Sequence, residues 1–175
     1  MNLATLRESM PDFARDIKLN LENVLGDDGA PGLTPQQVWG VALASAYATK
    51  SADVISAIRE ASAAHLDDAH LQAAKSAAAI MAMNNVYYRF LHLAEDEEFS
   101  KMPAKLRMNV IGKPGIDKVT FELMSLAVSA IEGCGKCVKA HVNETRKGGI
   151  AGEGIQSSIR IAAVINAAAQ TLVIT

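Results

Sequence analysis

An all-α fold, built as one helical domain over residues 1–175, is what this sequence predicts. Apolar residues make up 50% of the chain and aromatics only 5%, so its core must be assembled from Ala, Leu, Ile, Val and Met. Side chains this small favour helices packed at close range. Helix start and stop signals recur from end to end, and no segment shows the two-residue alternation of a half-buried strand. A chain of this length buries about two-thirds of its unfolded surface, enough for a single core.

Taken in order, Pro11 is suited to open a helix whose apolar face runs Phe13, Ile17, Leu21, Val24 and Leu25 before Gly26 stops it. Gly26 to Gly32 reads as a turn-rich loop. Thr34-Pro35-Gln36-Gln37 then has the form of a capping box, with Thr34 at the cap, Pro35 in the first turn and Gln37 three residues on. Ser51 and Asp53 mark another start, with Val54, Ile55 and Ile58 facing inward. Asp67 or Asp68 opens a long Ala-rich helix through Met83. Between Glu95 and Gly115 the pattern breaks, with Pro103, Pro114 and the acidic run Glu95 to Glu98, which reads as a solvated loop. Asp117 can cap a helix carrying Glu122 through Ile131, with Gly133 in its C-terminal turn. A helix from Cys134 to Lys147 ends at Gly148-Gly149, and a last one runs from about Glu153 to Leu172.

A weak internal repeat underlies this order. A shift of 84 residues, without gaps, sets residues 34–91 on 118–175: Ser45-Ala46 meets Ser129-Ala130, Val54 meets Val138, Glu60 meets Glu144, and Ala78-Ala79-Ile80 meets Ala162-Ala163-Val164. The chemistry of such a repeat is one-sided. Val38, Lys50, Asp53 and Ala57 stand where the second copy has Glu122, Cys134, Cys137 and His141. The first copy is then scaffold and the second carries the site.

A net charge of −2 offers no electrostatic footprint for nucleic acid or an anionic membrane. The apolar runs Leu123 to Ile131 and Ile161 to Ala169 fall well short of the ~18 residues a membrane span needs. Arg7, Glu8, Asp12, Arg15, Asp16 and Lys18 interrupt any signal-peptide core in the first twenty residues. A cytoplasmic location is the expectation, and there a cysteine pair is more often catalytic or metal-binding than structural.

Cys134 and Cys137 are the only cysteines, and His141 follows four residues after the second. On a helix the three share one face. Thiols one turn apart lie within the ~4.4–6.8 Å Cα range of a disulfide, so the pair can cycle between dithiol and disulfide. The partial positive charge of a helix start favours a thiolate on either sulfur, and His141 is spaced to take a proton from Cys137 or pair with it. Lys136 adds a cation nearby. Two other readings of these residues stand beside the redox one: two small buried side chains, or three ligands of a zinc site completed by His65, His70 or His92. Covalent haem attachment needs His directly after the second cysteine, where this chain has Val138. Spacing alone makes Glu122 an exposed carboxylate on a helix face. In direct contact with a thiol it would oppose ionisation, so any role must run through His141 or a water.

The arrangement Glu122, eleven residues, Cys134, two residues, Cys137, three residues, His141 resembles the signature of the alkylhydroperoxidase D (AhpD) family, within the carboxymuconolactone decarboxylase superfamily. The resemblance extends to Met81-Ala82-Met83-Asn84-Asn85-Val86-Tyr87-Tyr88-Arg89, to Leu106 through Ile111, and to Pro114-Gly115. It implies an AhpD-like all-helical fold, a homotrimer and an antioxidant alkyl hydroperoxide reductase with no bound cofactor or metal. It further implies service to an AhpC-like peroxiredoxin, whose active-site disulfide the protein reduces, with electrons from dihydrolipoyl groups (dihydrolipoamide in the test tube) on a lipoylated dehydrogenase-complex subunit. By residue, it makes Cys137 the peroxidatic sulfur that becomes a sulfenic acid. Cys134 is the proton donor and resolving thiol, and His141 and Glu122 form a proton relay. Some members carry His between the cysteines where this chain has Lys136. The alternatives from other classes are a non-redox lyase of the same superfamily and a redox-sensing or metal-binding module without turnover.

Overall fold

Ten α-helices and one 3-10 turn form the regular structure of the described residues, with no strand among them. This computed structural model describes residues 1–174; Thr175, the last residue of the second predicted copy, lies outside them. In chain order the helices are α1 (Leu3–Glu8), α2 (Arg15–Val24), α3 (Pro35–Thr49), α4 (Ala52–Ser62) and α5 (Asp68–Leu93). They continue with α6 (Glu97–Lys101), α7 (Asn109–Gly112), α8 (Lys118–Ile131), α9 (Gly135–Lys147) and α10 (Gly152–Val173).

The helix starts follow local chemistry. Gln37 N donates to Thr34 Oγ1 at 3.2 Å and Thr34 N donates to Gln37 Oε1 at 3.0 Å, closing the capping box of α3. Ser51, Asp67 and Asp117 accept from the third amide beyond them at the heads of α4, α5 and α8. Hydroxyl caps such as Thr34 and Ser51 are worth about 1 kcal/mol each.

Differences from the sequence reading sit where local signals are weakest. α1 has no strong capping pattern beyond Asn2, whose side chain accepts from Thr5 N at 2.8 Å. Phe13 falls in the 3-10 turn Asp12–Ala14 before α2 and is exposed, because the tighter winding takes it off the face shared by Leu21 and Val24. α5 continues ten residues past Met83, since its later turns still bury Asn84 and Asn85 and pack on α8 and α9. Between Glu95 and Gly115 the short α6 and α7 form, while Glu95 to Glu98 are exposed as expected.

Two helices make the centre. Gln37 through Ala46 of α3 and Thr120 through Ser129 of α8 are buried without interruption, as helices enclosed on all sides must be. They pack on each other, α4, α5, α9 and α10 surround them, and α2 packs on α10. Gly40 allows the close approach: the position of its missing Cβ is filled by the Met124 side chain of α8. A second contact of this kind ties the loop before α3 to α10. Gly32, at a φ of 80° that favours glycine, lies against the backbone of Gly154, and Ser157 Oγ donates to Pro31 O at 2.8 Å.

α3, α4 and α5 are followed, 84 residues later, by α8, α9 and α10 in the same order. The caps Ser51 and Asp67 correspond to positions 135 and 151, within a residue of the caps Cys134 and Ala151. At the positions that the 84-residue shift sets on the site residues, Val38 and Ala57 are buried apolar residues while Lys50 and Asp53 are exposed.

Candidate active site

Cys134 stands at the N-cap of α9, and its sulfur accepts from Cys137 N at 3.2 Å. The two cysteines are joined as a disulfide with their Cα atoms 5.3 Å apart, within the span such a bridge tolerates. The turn between α8 and α9 that presents them is held from both sides. Gly133 adopts a φ of 72°, and Cys134 N donates to Ser129 O at 3.1 Å. From α5, Asn85 Oδ1 accepts from Ser129 Oγ at 3.0 Å and Arg89 Nη1 donates to Glu132 O at 2.6 Å.

The sulfurs have unequal access. Cys134 is 0% exposed, whereas Cys137 is 6% exposed and opens onto a cavity of about 230 Å³. His141 and Ala140 of α9 share that cavity with Met81, Asn84 and Tyr88 of α5 and with Met108 and Ile111 around α7. Its walls are mainly carbon and thioether sulfur. Tyr88 closes one side, its hydroxyl 3.8 Å from Met108 Sδ, and Lys136 Nζ lies 5.6 Å from the centre of the Tyr88 ring. Lys136 also lines the cavity, with its cation engaged by that aromatic face.

Glu122 is not on an exposed face. It is 3% exposed, and its Oε2 lies 2.7 Å from His141 Nδ1. A carboxylate buried alone is costly, and the imidazole one helix away is the partner that offsets the cost. With Nδ1 engaged by the carboxylate, Nε2 faces the other way, 3.2 Å from Met81 Sδ. A thioether is a weak acceptor, so this nitrogen is not held by a strong competing bond. Direct hydrogen bonding between His141 and Cys137 is not among the contacts in this disulfide form: the two ring nitrogens meet Glu122 and Met81.

All four residues singled out from the sequence thus converge. Cys134 and Cys137 form one pair, Glu122 and His141 the other, and Cys137 and His141 share the cavity wall. The sequence reading did not find the opposite wall. Met81, Asn84 and Tyr88 lie in the stretch that carries the family resemblance, and their spacing along one face of α5 was the available signal. Of the other three histidines, His92 is exposed and the remaining two are engaged away from the cysteines. His70 Nδ1 lies 2.7 Å from Asp67 Oδ1, and His65 stacks on Trp39 with ring centres 4.9 Å apart. Among the described residues no three His, Cys, Asp or Glu side chains converge in a way that would hold a metal ion. No helix of the described residues is long and apolar enough to cross a membrane.

Residues 97–173 match the model of the carboxymuconolactone decarboxylase family. Among curated proteins, the chain is 54% identical to alkyl hydroperoxide reductase AhpD of Coxiella burnetii over 172 residues, covering 98% of this chain and 97% of that one. It is 53% identical to the protein of that name from Rhodospirillum centenum, covering 98% of this chain and 91% of the relative. For the relative from Brucella anthropi the identity is 51%, with 98% and 97% covered.

Proposed function

The chain belongs to the AhpD family, and from that premise we propose that it is an antioxidant, thiol-dependent alkyl hydroperoxide reductase working through a Cys134–Cys137 dithiol–disulfide cycle. One observation carries the reading. The bridged pair opens through Cys137 alone onto an apolar cavity, beside an imidazole already bonded to a buried carboxylate.

In the reduced enzyme Cys137 is the peroxidatic sulfur. Its proton passes to His141, whose charge Glu122 balances, and the thiolate attacks the peroxide. The S–O bond forms as the O–O bond breaks, leaving a sulfenic acid on Cys137 and an alkoxide that takes the Cys134 proton. The Cys134 thiolate then attacks the Cys137 sulfur. The disulfide closes, and the departing hydroxide recovers the proton held by His141 and leaves as water. The net change is two thiols and one hydroperoxide to a disulfide, an alcohol and water. Accessibility supports this assignment over the reverse. The N-cap position and the Cys137 amide favour charge on Cys134, but Cys134 is enclosed while Cys137 meets the cavity.

Dihydrolipoyl groups recharge the disulfide by thiol–disulfide exchange, and a lipoylated dehydrogenase-complex subunit is their source. The same dithiol reduces the active-site disulfide of an AhpC-like peroxiredoxin. The domain 1–175 reads as two copies, 34–91 and 118–175, with the chemistry in the second, and its place of action is the cytoplasm.

Steady consumption of an organic hydroperoxide with dihydrolipoamide as the sole reductant tests the reading. Wild-type enzyme should turn over with one alcohol formed per disulfide made. A protein whose thiols stay free under excess hydroperoxide is not this enzyme.

A further inference from the structure

Asn84 is a buried polar residue of the cavity that the chemistry above leaves unused. It lies inside α5, is 5% exposed, and faces Cys137 and His141 across the cavity. Its backbone carbonyl is 4.0 Å from Cys137 Sγ. No protein group donates to its side-chain Oδ1, although that atom is fully buried. Such an arrangement is costly: a buried acceptor without a donor loses its bonds to water, and asparagine is a poor residue for a helix interior. Its neighbour Asn85 has a structural task, accepting from Ser129 Oγ and tying α5 to α8. Asn84 ties nothing. The other buried, unpaired side-chain atoms, on Arg7, Ser45, His70, Asn85 and Ser125, belong to residues that do not line this cavity.

We infer that Asn84 is the binding residue for the reacting end of the peroxide: no hydrogen bond holds its side-chain amide, and a turn of that amide brings Oδ1, enclosed in the disulfide form, to the cavity, where it accepts the hydrogen bond of the hydroperoxide O–H. The inference rests on the peroxidase reading above. An alkyl hydroperoxide has one donor, that O–H, and its carbon tail suits walls made by Met81, Tyr88, Met108 and Ile111. Dihydrolipoyl thiols, the other small groups that must reach Cys137, are weak donors and fit this acceptor less well. The Cys137 thiolate attacks the terminal oxygen, which carries the hydrogen. As the S–O bond forms and the O–O bond breaks, sulfur gives up two electrons, and the alkoxide leaves to take its proton from Cys134. The hydrogen stays on the transferred oxygen, so Asn84 holds the same O–H in the peroxide and in the Cys137 sulfenic acid. It orients the substrate before the step and the intermediate after it.

The two half-reactions separate this role from packing. Reduced enzyme is mixed with an organic hydroperoxide, and oxidised enzyme with dihydrolipoamide, each followed by rapid mixing for wild type and Asn84→Leu. Losing the hydrogen bond should slow the peroxide half-reaction by roughly tenfold or more, while disulfide reduction changes by less than about threefold. Asn84→Leu should melt no lower than wild type, because an apolar group of similar volume replaces an unpaired amide. If Asn84→Leu does not fold, Asn84→Ala makes the same comparison with a larger cavity. A variant that keeps the wild-type peroxide rate, or that slows both half-reactions equally, overturns the inference while leaving the peroxidase reading in place. A wild-type protein inert to hydroperoxide removes both.

Discussion

Cys134 and Cys137 are chemically the same residue in different surroundings, and the site depends on that difference. Cys134 is enclosed and capped to the start of α9, while Cys137 faces the cavity. Cys137→Ser should therefore abolish turnover and leave no sulfenic acid. Cys134→Ser should trap a sulfenic acid or a mixed disulfide on Cys137. A sulfenic-acid probe that labels Cys134 in the Cys137→Ser variant would exchange the two roles. Glu122 and His141 form the other pair, and each is the buried partner of the other. General acid–base assistance is worth about 10²–10⁴ in rate, so Glu122→Gln and His141→Gln should each slow the peroxide step toward that range. The double variant should lose much less than the product of the single losses, since groups in one relay fail together. Raising the pH should partly restore His141→Gln, as more Cys137 ionises unaided. Additive losses would mean that the two residues act separately.

At the scale of the element, α5 forms the far wall of the cavity and also holds the cysteine turn through Asn85 and Arg89, so its stability bears on the site. Its cap is Asp67, whose carboxylate accepts from His70 N at 2.9 Å and lies 2.7 Å from His70 Nδ1. The backbone bond from His70, followed by the side-chain bond, holds this carboxyl below the ordinary aspartate value. A carboxyl depressed in the folded state stabilises the fold fully above its unfolded value and loses that contribution as pH falls through the folded one. Asp67→Asn keeps a competent cap but cannot titrate. Its melting temperature should lie below that of wild type at neutral pH, and the gap should close in the acid range below ordinary aspartate titration. A gap that stays constant down to that range would show that the charge on Asp67 contributes nothing to α5.

For the molecule as a whole, the unpartnered surface gathers where α5 ends. Val86, Phe90 and Leu93 of α5, with Phe99 and Met102 just beyond, are exposed apolar side chains close together in sequence, and Phe90 and Phe99 meet with ring centres 5.2 Å apart. Met81 and Tyr88 face the Cys137 cavity, which leaves the outer face of α5 to Val86, Phe90 and Leu93. Exposed apolar patches of this kind mark interaction sites, and the proposed assembly is a trimer of identical chains. Light scattering at micromolar concentration should return three times the 18.5 kDa chain mass, and Phe90→Glu with Leu93→Glu should reduce it. A wild-type monomer would remove the assembly from the proposal.

Helix starts were legible because capping is local: Thr34, Ser51, Asp67 and Asp117 act on amides three residues away, and α3, α4, α5 and α8 begin where those residues predict. The disulfide was legible for the same reason, since three positions on a helix start leave little freedom in the distance between two sulfurs. The sequence by itself thus determined the all-α class, the order of the longer helices and the reach of the cysteine pair. The tertiary structure decided what those helices show one another. Glu122 on α8 is 19 residues from His141 on α9, and nothing in its own neighbourhood distinguishes a buried partner of imidazole from a surface carboxylate. The cavity wall comes from α5, more than forty residues before Cys137, so a periodic pattern can put Met81, Asn84 and Tyr88 on one face but cannot say which sulfur that face will meet. Local sequence sets a residue's direction from its own helix axis; only the packing of α5, α8 and α9 sets what lies in that direction.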